Sequence, residues 1–566
     1  MLWFLLILIL PGFLKAQNLV TNPGFETFSV YECYSCKCTL SSDSHSGSHS
    51  YNVTNRQYEW TGPSQELSLT PDRTYSFKAW AKLLNTAPGK IYSNLDSLLV
   101  ITDNNGKQKY VSAGITPFIT PGKWHVVGGD YYIPANAKTV RFSVKVPDPS
   151  VNFLVDDFEV TWIDHSYKFE SDEDKRIDQL RKADLEMSLS GSASPSGLSV
   201  EVQQVKSEFG WGSVINVAAM FDKSKPNYMK FFYDLFEWSV LEWSLKWTAT
   251  EPVQGQLHYH LPLKGVDELL SKGIKVRGHN IFWGGPDVVP KWQKDKTGSQ
   301  LKPLFSKRIE EITSTFKGKF QHWDVENENL HLHFYEDKLQ DAHITEWMFK
   351  EVHRHDPDTQ CFLNEYDVIA GGMHTQAFKD QGLQFKADGV PVAGMGIQSH
   401  LGPDFDLSVM KHRLDEVAEV GLPIWITELD INEADENKKA KKYADVLKLY
   451  FSHPAVHGVM FWGFSDKNHW RPNAAIANGQ DVTPNAAGKK IQELLKQTWR
   501  TNETHDISHG QTVKIRAFKG SYKLLVHHNG KVIHTENFTV GDNGNSLKIN
   551  LSGTGSNPHV DQVIIG

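Results

Sequence analysis

Between residues 200 and 497 the sequence repeats one rhythm eight times: a short apolar run of strand length, then an amphipathic segment of helical period. The runs are GWGSVIN, FEWSVLEW, KVRGHNIFW, QHWDVENE, CFLNEYDV, GMGIQSHL, PIWITELDI and GVMFWGFSD. They recur at intervals of roughly 25 to 45 residues, separated by segments such as SKRIEEITSTFKGKF and ADVLKLYFSHP. Strands apolar on both faces suit a parallel sheet covered by helices. Repeated strand–helix units over this length predict a (β/α)8 barrel. The competing arrangement, an open doubly wound sheet, should carry a Gly-rich phosphate turn after its first strand, and GWGSVIN is followed by none.

The flanks read differently. Residues 17–163 alternate in short runs (YSFKAWAKLL, KTVRFSVKV, NFLVDDFEVTWI) separated by Pro, Gly and Asn turns, the pattern of a β-sandwich. Residues 164–199 begin as a charged helix and end in a Ser/Gly/Pro stretch, which predicts a connector. Residues 498–566 alternate again and predict a small C-terminal β-sandwich without a catalytic cluster. Residues 1–16, MLWFLLILILPGFLKA, form an apolar run too short to span a bilayer, and no later segment is apolar enough to do so. A cleaved signal peptide and a secreted protein are expected. The net charge of -8 argues against nucleic acid and anionic membranes as partners. Of four Cys, three stand together in CYSCKC (Cys33, Cys36, Cys38), where export favours one local disulfide, and Cys361 lies in an apolar strand. Sequons at Asn52, Asn502, Asn537 and Asn550 fit a secreted glycoprotein.

In a barrel the active site is built where strands end at the C-terminal face. Those ends carry Glu242 and Lys246; His279 and Trp283; Asn327 and Glu328; Asn364 and Tyr366; Gln398 and His400; Glu428 and Asp430; Trp462, Asp466 and Trp470. Nearly every strand thus ends in a group able to grip a hydroxylated ring. Two carboxylates stand out. Cleavage of a glycosidic bond requires one protonated acid for the leaving oxygen and one anion for the anomeric carbon. Glu428 has Asp430 two residues on, on the same side of its strand, and His400 one strand away. A His that donates to Glu428 and is held by Asp430 would keep Glu428 ionised and aimed, as a nucleophile must be. Glu328 follows Asn327, whose amide could hold a sugar 2-hydroxyl, and is the expected acid/base. The histidine pairs His331/His333 and His258/His260 lack an evident third ligand and read as loop residues.

These motifs also carry a resemblance. KVRGHNIFW, WDVENENLH, GIQSHL, WITELDI and FWGFSDKNHW resemble, in order and over about 300 residues, the signatures of family 10 glycoside hydrolases, the retaining endo-β-1,4-xylanases, most closely the plant and animal branch. The resemblance implies Glu328 as acid/base, Glu428 as nucleophile, and Lys246, His279, Trp283, Asn327, Gln398, His400, Trp462 and Trp470 around the glycone sugars, with no cofactor for catalysis. Residues 17–163 resemble jelly-roll carbohydrate-binding modules, which implies that Glu26 and Asp156 help hold a structural calcium. Tyr58 and Trp60 could stack on sugar. The expected partner is plant-cell-wall polysaccharide. Three departures bear on substrate choice. EWSLKW places Trp243 where the family has an Asn that contacts the glycone, Gly284 replaces a His, and NEY places Glu365 where the family has Asp. Xylan, β-1,4-glucan or both stay open as substrates, and a catalytically silent polysaccharide-binding barrel is the third alternative.

Overall fold

A computed structural model describes residues 17–27, 31–165, 169–193, 195–471, 473–554 and 556–566, so the leader expected over 1–16 lies outside the described residues. The chain divides into two compact units, residues 1–165 with 371–377 and residues 166–370 with 378–566.

The second unit holds the predicted barrel. Its strands are β1 (Gly210–Ile215), β2 (Trp238–Leu241), β3 (Lys275–Trp283), β4 (His322–Asn327), β5 (Gln360–Glu365), β6 (Gly394–Ile397), β7 (Ile424–Ile431) and β8 (Val456–Phe461). Each pairs in parallel with the next in sequence, β8 pairs with β1, and the sheet closes on itself. Every residue of β1, β2, β4, β6 and β7 is buried, as expected of strands with side chains on one face filling the barrel and on the other meeting helices. The floor of the barrel packs Trp238, Phe362, Trp425 and Met460 together. Room for the Trp425 indole comes from Gly210 and Gly458, where an added Cβ would fall 2.2 Å and 2.4 Å from its ring. The covering helices start where caps dictate. Asp435 accepts the N–H groups of Asn437 and Lys438 to begin Glu436–Ser452, and a Thr297/Gln300 capping box begins Gly298–Thr315.

The expected connector is corrected by the structure. Its helix exists (Phe169–Arg181), but the next residues form strands Lys182–Gly191 and Leu198–Ser207, one in each sheet of the C-terminal sandwich. Lys182–Gly191 pairs with Thr512–Phe518 and Asn545–Thr554; Leu198–Ser207 pairs with Asn502–Asp506 and Gly520–His528. Leu185, Met187, Val200 and Val202 supply part of the core that Leu524, Val526 and Ile549 complete. The sandwich is therefore built from both sides of the barrel in sequence, and the barrel starts at Gly210 rather than at 200.

The first unit is an antiparallel sandwich of two five-stranded sheets around a core that includes Phe77, Phe142, Phe153 and Phe158. The sulfur of Cys33 lies at bonding distance from both Cys36 and Cys38, so the disulfide is local as expected. Cys361 is a buried β5 residue whose thiol is pushed up to about 12 by burial, so it is no nucleophile. Among the described residues no helix is long and apolar enough to cross a membrane.

Candidate active site

Glu428, on β7, is 4 % exposed. Its Oε1 accepts from Asn364 Nδ2 at 3.0 Å, and its Oε2 lies 3.2 Å from His400 Nε2. On the far side of the imidazole, Asp430 Oδ2 is 3.1 Å from Nδ1. Asp430 is fixed in turn by Trp470 Nε1 at 2.8 Å and Arg471 Nη1 at 2.6 Å. Burial works against a charged His400, but the hydrogen bonds and charges of Asp430 and Glu428 outweigh it and push its pKa up to about 9. An imidazolium that faces two carboxylates follows. Burial also works against ionised Glu428. The hydrogen bond from His400 and the charges of His279, His400 and Lys246 outweigh that, and hold it below the ordinary carboxylate value. His400 thus lies between Glu428 and Asp430, and Arg471 extends the row.

Glu328 follows directly on β4 in the left-handed region, at φ +61°. Its Oε1 accepts from Gln398 Nε2 and its Oε2 from Trp283 Nε1, both at 2.8 Å. Both donors are neutral. Gln398 and Trp283, expected to line the glycone, therefore hold the carboxyl of Glu328 itself. Lys246 is buried with its Nζ 4.1 Å from the Trp283 ring centre. Burial lowers its pKa against the pull of Glu428, Glu328 and Glu242, a charge set that places all four in one cleft. Glu242 accepts from Asn216 Nδ2 at 3.0 Å. The Trp462 ring stands nearly perpendicular to those of His279 and His400, and Trp470 stands half exposed beside His400.

One residue absent from the expected roles links the two carboxyl sites. Asn364 Nδ2 donates both to Glu428 Oε1 and, at 2.8 Å, to Asn327 Oδ1. Thr427 Oγ1 donates to Asn364 Oδ1 at 2.6 Å and so fixes which way the amide points. Asn327, its oxygen engaged, has N–H to offer a sugar hydroxyl. Asp324 points into the barrel, where it pairs with Arg277 and lies 2.9 Å from His279 Nδ1, which orients that ring. Asp324 and Arg277 are 1 % exposed. Their charge made Asp324 visible in the sequence, but its partner on β3 was not.

Trp243 is 49 % exposed, with its ring centre 5.2 Å from Lys246 Nζ. Gly284 answers to packing. A Cβ there would lie 3.0 Å from the Leu332 carbonyl, 3.1 Å from Glu326 Oε1 and 3.2 Å from Tyr335. The histidines expected in loops have partners of their own: His331 Nδ1 meets Glu365 at 2.7 Å, and His333 Nε2 meets the Leu330 carbonyl at 3.2 Å.

In the first unit Tyr58 and Trp60 are exposed and stacked parallel, 5.3 Å between centres. Trp60 lines a groove with Tyr34, Tyr110, Gln108 and Arg141, flat rings interleaved with hydrogen-bonding groups. Glu26 Oε1 accepts the Ser48 and His49 N–H groups, and Asp156 Oδ2 those of His45 and Ser46, so both carboxylates tie down one turn. Among the described residues, no cluster of three carboxylate, imidazole or thiolate ligands contains either.

Residues 202–493 match the model of glycosyl hydrolase family 10, and residues 17–150 that of a carbohydrate binding domain. In Arabidopsis thaliana, endo-1,4-beta-xylanase 2 is 32% identical over 502 residues, 87% of this chain and 46% of that protein. Endo-1,4-beta-xylanase 1 is 30% identical over 524 residues, 88% of this chain and 52% of that protein. The chain spans about half the length of these two relatives. The Arabidopsis endo-1,4-beta-xylanase 5-like protein, 26% identical, is matched over 82% of this chain and 81% of its own length. With the matched family model covering more than half of the chain and both acidic strand ends inside the match, the chain belongs to glycosyl hydrolase family 10.

Proposed function

We propose that the chain is an endo-1,4-β-xylanase that cleaves internal xylosidic bonds with retention of configuration. The observation that carries this is the contrast between the two carboxyls. Glu428 lies against the His400 imidazolium, whereas the side-chain hydrogen bonds to Glu328 come from neutral Trp283 and Gln398. Paired carboxyls in unlike surroundings are how one site supplies both an anion and an acid at one pH. In the first step Glu428 bonds to the anomeric carbon while Glu328 gives its proton to the departing oxygen. In the second, Glu328 takes a proton from water, whose oxygen displaces Glu428. The test is digestion of xylan followed by NMR at early times. New reducing ends of β configuration support the reading; α ends first, or no reducing ends, overturn it.

A second reading, cleavage of β-1,4-glucan alongside xylan, rests on Trp243, an indole face where a side-chain amide would offer hydrogen bonds. Gly284, explained by its neighbours, lends it nothing. Glucose differs from xylose by one hydroxymethyl group, a difference pockets resolve by only about 1–3 kcal/mol. Trp243→Asn is expected to raise the ratio of kcat/KM on xylan to that on carboxymethyl-cellulose by about fivefold or more. An unchanged ratio removes Trp243 from substrate choice.

The module's groove of Trp60, Tyr34 and Tyr110 is proposed to hold the same polysaccharide, which retarded migration in xylan-containing gels would test. A calcium ion at Glu26 and Asp156 rests on their shared turn; a chelator that leaves the module's Tm unchanged removes it. Export rests on the apolar leader and on sequons such as Asn537, exposed on strand Lys531–Val540. Loss of mass from the secreted protein on endoglycosidase treatment tests it.

A further inference from the structure

Glu365 ends β5, is 1 % exposed, and points at the turn that carries Glu328. Its Oε2 accepts the Leu330 N–H at 2.9 Å, and its Oε1 accepts the Tyr366 N–H at 2.9 Å and meets His331 Nδ1 at 2.7 Å. The His331 ring lies flat on Tyr366, 3.6 Å between centres. Thus one buried carboxylate holds the second and third residues after Glu328. The turn requires holding. Glu328 sits in the left-handed region that a side chain other than glycine resists. Its N–H donates to the Asn364 carbonyl, and its own carbonyl accepts from His331 and Leu332. Without Glu365, the Leu330 amide would be left buried without its acceptor, and the turn would be free to relax out of that strained conformation.

We propose that Glu365, through His331 and the Leu330 amide, is a positioning residue for the acid/base Glu328. This rests on the glycosidase reading above. The longer Glu, where the family has Asp, is what spans from the end of β5 to both groups. Glu365 touches no reacting atom. Its side-chain contacts are confined to the turn behind Glu328, at Leu330, Tyr366 and His331, and include neither His400 nor the Asn364 side chain, the partners of Glu428.

That confinement gives the test. A dinitrophenolate leaves without a proton, whereas a sugar alkoxide does not. Glu365→Gln is expected to lower kcat/KM on xylohexaose by about 30- to 100-fold, and to leave kcat/KM on dinitrophenyl β-xylobioside within about threefold of wild type. His331→Asn, which leaves the carboxylate its two backbone donors, should show the same split more weakly, and it carries the test if Glu365→Gln does not fold. Equal losses on both substrates, or none on xylohexaose, overturn the proposal. A wild-type chain inert on both substrates overturns the glycosidase reading instead.

Discussion

Glu428→Ala is expected to lower kcat on xylan by a factor on the order of 10⁴ or more, about 5 kcal/mol of transition-state stabilisation. The effect is large because no other group can take its place. Its neighbours are the His400 imidazolium, the Lys246 amine and the Asn364 amide, none of them an anion. The loss should be local. His400, deprived of one of its two carboxylates, should fall from about 9 toward its ordinary value. Added azide should restore turnover, since a small anion can enter the vacated volume, bond to the anomeric carbon and leave an α-glycosyl azide. A variant with native circular dichroism that keeps more than about one hundredth of wild-type activity would remove Glu428 as nucleophile.

The barrel was legible because its strands are buried on both faces and so read as unbroken apolar runs, nearly all of them stopping at a chemistry-bearing residue. The C-terminal sandwich was legible over 498–566, but the two strands that residues 182–207 supply to it were not. DLEMSLS alternates as a strand should, but it follows a charged helix, and its partners lie more than three hundred residues on. No local pattern reports such a pairing. The site shows the same division. Glu328, Glu428, His400 and Asp430 could be read from charge and spacing along single strands. The roles of Asn364, set by Thr427 on another strand, and of Arg471, which fixes Asp430, exist only once strands are neighbours. Asp324, Glu326, Asn327 and Glu328, adjacent in sequence, have three destinations. Asp324 points into the barrel, Glu326 toward the helix layer, and the last two into the cleft. A register irregularity between Asp324 and Asn327 breaks the strand period of two that would have predicted otherwise.

Glu326 supplies the second large effect, on stability. It and Glu336 are wholly buried, and Thr345 Oγ1 stands between them, 2.5 Å from Glu326 Oε2 and 3.0 Å from Glu336 Oε1. A hydroxyl has one proton. It donates to one carboxyl and must accept from the other, so one of the two glutamates has to be protonated for both contacts to be hydrogen bonds. Burial acts the same way, pushing Glu326 up to about 7 and Glu336 well above the ordinary carboxylate value. The folded state therefore holds a proton that the unfolded chain, at the ordinary 4.5, has released. This contribution is fully present below about pH 4.5 and is lost as the pH rises toward 7, a difference of about 3 kcal/mol. Glu326→Gln is neutral at every pH, and its amide can donate to Thr345 while Thr345 donates to Glu336. The variant should melt within a degree or so of wild type at pH 4.5 and several degrees above it at pH 8. Thermal unfolding at the two pH values decides. A Tm difference that is the same at both would mean that the pair shares no proton, and that the geometry around Thr345 has another origin.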